Sequence, residues 1–245
     1  MQEFFDGLAR NLRSAVLVDD RWKMYLRGLG TTLEISLVAV LLGVVLGMLI
    51  AMTKISAQGA KKPPRGAPVL YYVRYALARF VFAVCNVYTT VIRGTPLMLQ
   101  LMILYFFSFM PNGLVAAMIG FGLNSGAYVS ETFRSGIQSV DIGQTEAARS
   151  LGLTRWQAMR SVVLPQAVKN VLPAIFNEFI ALVKETSIAG YIAVNDLTKV
   201  VNQIRSRSFN STSLYLAALI YLFLTFLLTL ALGAIERRLA KSDRR

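Results

Sequence analysis

Three uncharged stretches set the terms for this chain. Ile35–Thr53 runs 19 residues without a charge, Gly94–Ser130 runs 37 and Ser208–Ile235 runs 28. A helix that crosses the hydrocarbon core of a bilayer needs about 20 predominantly apolar residues. Lipid offers the backbone no hydrogen bonds, so each crossing must satisfy its own. The longest run is broken by Met110-Pro-Asn-Gly113 and suits two crossings joined by a tight turn. A fourth apolar stretch, Val171–Ile192, carries Glu178, Lys184 and Glu185. The expectation is an all-α membrane protein with about five crossings, near 33–53, 94–110, 114–134, 171–192 and 212–235. Composition agrees: 16% of the 245 residues are charged, against about a quarter in soluble domains.

Between Arg79 and Arg93 lie 13 further apolar residues, Phe80–Ile92. That length is typical of an interfacial or buried segment. Val69–Ile92 therefore reads as a helix on the membrane surface or as the entry to the second crossing, with a sixth crossing as the alternative.

Basic residues orient the bundle, since loops rich in lysine and arginine stay in the cytoplasm. Segments 54–96, 134–170 and 236–245 share one side and hold 17 basic residues; the other side holds 8. The N-terminus is thus expected outside and the C-terminus inside a bacterial cytoplasmic membrane. The net charge of +13 then calls for membrane lipid rather than nucleic acid as its counterpart. Residues 1–30 do not read as a cleavable signal peptide.

The missing chemistry narrows function. The chain has no histidine, which removes a Ser-His-Asp triad and the commonest zinc ligand. Cys85 is its only cysteine, so neither an internal disulfide nor a cysteine metal cluster is expected. No phosphate-binding P-loop occurs, and Gly28-Leu-Gly30 lacks the third glycine of a dinucleotide fingerprint. An intramembrane enzyme using carboxylates alone stays open, beside channel, carrier, scaffold and the membrane half of a pump.

One polar segment interrupts the apolar sequence. Asp141-Ile-Gly-Gln144 and Thr154-Arg-Trp-Gln157 both have capping-box spacing. Gly152 suits the left-handed residue that closes a helix, and Pro165 restricts the backbone near the end of the second helix. The reading is two short helices joined by a sharp elbow on the inner side.

Within this segment Glu146-Ala147-Ala148, Gly152, Val162 and Leu164-Pro165 stand at fixed spacing. The pattern resembles the EAA signature of ABC importer permeases. GLGTTLEISL at Gly28–Leu37, RGTPLMLQL at Arg93–Leu101, NSGAYVSETFRSG at Asn124–Gly136 and LPAIFNEFIALVKETS at Leu172–Ser187 resemble the polar amino acid branch of that family. The likeness covers most of residues 25–240. It implies the ABC type I importer fold, with the elbow as a pair of coupling helices that dock into an ATPase subunit. Glu146, Ala147, Ala148, Gly152, Trp156, Leu164 and Pro165 are the coupling residues it implies, with Met159 beside Trp156 as a further apolar anchor. Burial of Trp156 against the chain's own bundle is the other reading. ATP and magnesium would sit on partner ATPase subunits, leaving this chain without a cofactor and without enzymatic activity. An extracellular or periplasmic solute-binding protein and a second permease copy, identical or merely similar, complete the implied partners.

Ionisable groups inside a crossing are costly and mark function by default. Glu178 and Glu185 are seven residues apart, as are Asn177 and Lys184. Each pair shares a helix face to within about 20°. Asn177, Glu178, Lys184 and Glu185 are therefore the substrate-path candidates, fit for a zwitterion and, with two carboxylates to one ammonium, tilted toward arginine or lysine; a glutamine-like substrate is the neighbouring choice. Glu131 and Arg134 are spaced to pair structurally. Gly43, Gly47, Gly122 and Gly126 fit close helix packing. The expected organisation is an external segment 1–30, a permease domain 31–240, and a basic tail 241–245. The permease domain holds a basic inner loop with interfacial helix (54–92) and a coupling loop (139–168). Lys61–Arg65 within the first loop reads as a solvated basic linker. The rival functions are a self-sufficient secondary carrier, for which no inverted repeat is visible, and a membrane scaffold.

Overall fold

The computed structural model describes residues 1–59, 61–107, 110 and 112–242; side chains at 2–5, 8 and 240–242 are outside that description. Among the described residues the secondary structure is helical throughout, without strands. The helices are α1 (Gln2–Val16), α2 (Arg21–Gln58), α3 (Val69–Gly94), α4 (Leu97–Phe107), α5 (Gly113–Gln138), α6 (Ile142–Ser150), α7 (Arg155–Ala158), α8 (Leu164–Glu185), α9 (Leu197–Ser208) and α10 (Thr212–Ser242). The chain divides into two compact units, one of residues 1–39, 97–121 and 179–245, the other of 40–96 and 122–178.

Four helical stretches are long and apolar enough to cross a membrane: Val18–Gln58, Val69–Gly94, Gly113–Gln138 and Thr212–Leu239. Helix α8, with 22 residues, is about 33 Å long and also suffices by length, although Lys169, Glu178, Lys184 and Glu185 dilute its apolar character. Five long helices thus stand where about five crossings are expected, but the second is not at 94–110. Helix α4 has 11 residues, about 16 Å, too short for a core of about 30 Å. The 26-residue α3 takes that place. Arg79 bounds the 13-residue stretch in the sequence, yet both it and Arg74 are exposed on a continuous helix, where long basic side chains can reach toward the interface. Arg93 accordingly ends α3 rather than opening a crossing, with its guanidinium 5.3 Å from the Tyr128 ring centre. The tight turn expected at 110–113 lies partly outside the described residues.

In the first unit Tyr25, Leu197, Val200, Val201, Ile204 and Ala217 form the core. Gly28 brings α2 against the start of α9: a Cβ there would stand 3.0 Å from the Leu197 Cα. In the second unit α2 packs on α5. A Cβ on Gly43 would meet the Ser125 Oγ at 2.5 Å, and one on Gly47 the Ser130 nitrogen at 2.8 Å. A Cβ on Gly126 would meet the Leu46 Cδ2 at 2.9 Å, so three of the glycines expected to mediate close packing, Gly43, Gly47 and Gly126, do so.

Candidate coupling elbow and polar clusters

The elbow is built from local signals. The Asp141 carboxylate accepts from the Gly143 N–H at 2.7 Å and caps α6. This is a one-sided cap, since the Gln144 N–H goes to the Asp141 backbone oxygen instead. At the other end Gly152 adopts φ +86°. The Gly152 N–H donates to the Arg149 carbonyl and the Leu153 N–H to the Ala148 carbonyl, the paired bonds of a Schellman closure. Thr154 then opens the next helix with a complete capping box: Gln157 N–H donates to Thr154 Oγ1, and Thr154 N–H to Gln157 Oε1.

The second helix does not end near Pro165. It passes through a π turn, Met159–Val163, straight into α8, where Pro165 occupies the first turn. Proline has no N–H and crowds the carbonyl four residues back; a turn widened by one residue relieves that crowding.

Side-chain placement sorts the coupling candidates. Glu146, Ala147, Gly152 and Pro165 are exposed and Leu164 is half-buried. Trp156 is 64% exposed, beside Ile142 at 74% and Leu151 at 81%. The indole is therefore turned outward, and three large apolar side chains crown the elbow. Ala148 is buried and faces the chain's own interior. Met159 packs with the cluster of Ile137, Val163 and Ala167, so it supports the elbow from beneath and is not an outward anchor.

The candidate path residues lie along α8. Asn177 is exposed and Glu178 half-buried. Lys184 and Glu185, at its end, line a cavity of about 570 Å³ with Leu97, Met98, Ser187 and Ile188. That volume falls in the range of small-molecule sites.

Two polar clusters were not visible from spacing alone. Lys54, counted above merely as a loop cation, is 4% exposed. Its Nζ donates to Glu131 Oε1 at 3.0 Å and to Thr89 Oγ1 at 2.9 Å. Arg134 reaches the other Glu131 oxygen at 2.8 Å, as the i,i+3 spacing predicts, and also Gln138. A signal for Lys54 did exist: it directly follows 19 uncharged residues, at a depth where an ammonium needs a partner. The second cluster surrounds Asp196, the fully buried N-cap of α9, which accepts from the backbone N–H groups of Thr198 and Lys199. Burial pushes its carboxyl up to about 6, against the pull of those N–H groups. Thr198 Oγ1 shares a hydrogen bond with the Tyr221 hydroxyl, and the Leu197 N–H donates to Thr32 Oγ1. Among the described residues no group of histidine, cysteine, aspartate or glutamate is arranged to hold a metal.

Comparison with known proteins bears on this geometry. Residues 72–241 match the family model of the binding-protein-dependent transport system inner membrane component. The arginine transport system permease protein ArtQ of Bacillus subtilis (strain 168) is 38% identical over 224 residues, covering 89% of this chain and 93% of that one. A putative glutamine transport system permease protein GlnP of Rickettsia felis is 37% identical over 214 residues, covering 85% and 89%. A solved structure described as an amino acid ABC transporter with histidines superposes with a TM-score of 0.75 at 37% identity, covering 88% of this chain and 94% of that chain. The signature-bearing elbow, the long apolar helices and these likenesses agree, and the chain belongs to the binding-protein-dependent transport system inner membrane components, as a multi-pass ABC importer permease of the polar amino acid branch.

Proposed function

We propose that this permease passes a cationic amino acid, arginine or lysine, with a glutamine-like substrate as the second choice. Energy comes from ATP and magnesium held by separate ATPase subunits seated on the elbow. The observation that carries the coupling is the doubly capped elbow with Ile142, Leu151 and Trp156 turned outward. Exposed apolar side chains on a rigid turn are what a docking partner buries, and tryptophan is enriched among the residues that dominate such contacts. The elbow faces the cytoplasm. Moving the second crossing to α3 carries Arg93 to the opposite side and takes Arg74 and Arg79 into the crossing itself, yet the elbow side keeps more basic residues, 14 against 9. A solute-binding protein delivers substrate outside, and a second permease copy completes the path. Along α8, Glu178 and Glu185 meet the substrate's cationic groups, while Lys184 and Asn177 meet its carboxylate. The spans alternate as rigid bodies when the ATPases close.

The test uses the assembled transporter in proteoliposomes. Gly152→Asp places a side chain at φ +86° and a charge on the docking turn. ATP-driven uptake is expected to vanish while membrane insertion is retained. Wild-type uptake by this variant would refute the coupling role. Ion-driven uptake by the chain without ATPase would instead establish a secondary carrier.

A further inference from the structure

We infer that the cleft between the inner ends of α2 and α3 is a binding site for an anionic phospholipid. The cleft holds about 460 Å³ and has a divided lining. Arg74, Thr53 and Ser56 supply a cation and two hydroxyls; Met52, Leu77 and Val81 supply an apolar wall. A phosphate takes two parallel N–H bonds from a guanidinium, and an acyl chain takes the wall. A free polar solute would leave that wall wet. A purely apolar occupant would leave the guanidinium buried without a counter-charge.

The surrounding charge matches the same ligand. Between Glu34 and Glu131 the sequence has no acidic residue, so none in the loop or on α3 offsets Lys61, Lys62, Arg65 and Arg74. Lys61, Lys62, Arg65 and Arg74 are all exposed. The loop that carries the first three is solvated, as expected from sequence, and it is also held in place. Pro64 turns it, with the Ala67 N–H donating to the Pro64 carbonyl, and the Tyr72 hydroxyl donates to the same carbonyl at 2.8 Å. Tyr72 lies two residues before Arg74. The loop is thereby pinned to the first turn of α3, beside the cleft. Basic residues held at a bilayer surface attract anionic lipid by about 1 kcal/mol each. Loop lysines with nothing to hold them would spread that attraction; pinned, they add to the field at one headgroup.

The test is native mass spectrometry of the purified full chain in detergent, titrated with dioleoyl phosphatidylglycerol or dioleoyl phosphatidylcholine. The first phosphatidylglycerol is expected to bind at least about fivefold tighter than phosphatidylcholine, the ratio that one cation's contribution yields. Arg74→Gln, a change at an exposed position, should remove that preference and leave phosphatidylcholine binding unaltered. Ala78→Trp, which fills the cleft, should weaken phosphatidylglycerol by a similar factor even with Arg74 intact. Excess inorganic phosphate should not displace the lipid; displacement would show an anion site without the acyl component and overturn the assignment. Equal binding of both lipids, or a preference untouched by both variants, would also overturn it. So would spontaneous disulfide dimerisation of an L77C/C85S chain in phosphatidylglycerol liposomes, which would place a second copy in the cleft.

Discussion

Two sets of ionisable side chains lie in the apolar helices, and they are handled in opposite ways. Around Glu131 every charge is engaged: Lys54 on one carboxylate oxygen, Arg134 on the other, and Thr89 on the ammonium. At the end of α8, Lys184 and Glu185 are exposed to a cavity. Both sets lie on helices long enough to cross a membrane, so position alone does not separate structure from function. What separates them is whether the hydrogen-bonding capacity is used up within the fold. A satisfied cluster holds helices in register; an open one has capacity left for a ligand.

The comparison breaks first, and most heavily, at Glu131. Glu131→Gln leaves a nearly buried ammonium with neutral acceptors only, the Thr89 hydroxyl and the new amide oxygen, and is expected to cost about 3–5 kcal/mol, as breaking buried ion pairs does. Lys54→Met leaves Glu131 still paired to Arg134, so about half that loss is expected. Chemical unfolding of the two variants in detergent checks the order; equal losses, or none, would mean the cluster is not a structural lock. At α8 the pattern should invert. Lys184→Gln and Glu185→Gln are expected to raise the KM of uptake about tenfold, the worth of one charge-assisted hydrogen bond, with unfolding little changed. A large stability loss there, at unaltered KM, would make α8 a second lock.

Asp196 mixes the two cases by being both buried and hydrogen-bonded. Its folded value of about 6 lies above the ordinary 3.8, so the fold favours the protonated carboxyl. The cost of the ionised form is absent below about pH 4, grows between the two values, and is complete above about pH 6. Asp196→Asn keeps the acceptor oxygen and abolishes the titration. Wild type should therefore lose thermal stability relative to this variant as pH rises from about 4 to about 7. Parallel curves would show that folding does not shift the Asp196 titration.

Features read from consecutive residues were the legible ones. Gly152, Thr154 and Gln157 define the elbow because helix closure and capping use bonds between neighbours in sequence. Pairing of Glu131 with Arg134 follows from helix spacing in the same way. Long-range partners were not legible: Lys54 meets a carboxylate 77 residues away, and no local pattern announces such a meeting. The second crossing lies on α3 and not at 94–110 because Arg79 and Arg93, which bound Phe80–Ile92 in the sequence, do not end the helix at that stretch: Arg79 is exposed along α3 and Arg93 stands at its end. Met159 and Ala148 were placed on the docking side from their neighbours in sequence. The register of the turn, not the motif, decides which side chains look out.

That register also depends on the π turn at Met159–Val163. A π turn holds one residue more than the helix would, and one residue is worth about 100° of rotation. The insertion therefore works as a phase setting: it fixes the azimuth at which α8 presents its side chains relative to the capped turn at Thr154. Removing one residue there would leave every cap intact and every apolar residue in place, yet swing the acidic stripe about a quarter-turn toward other neighbours.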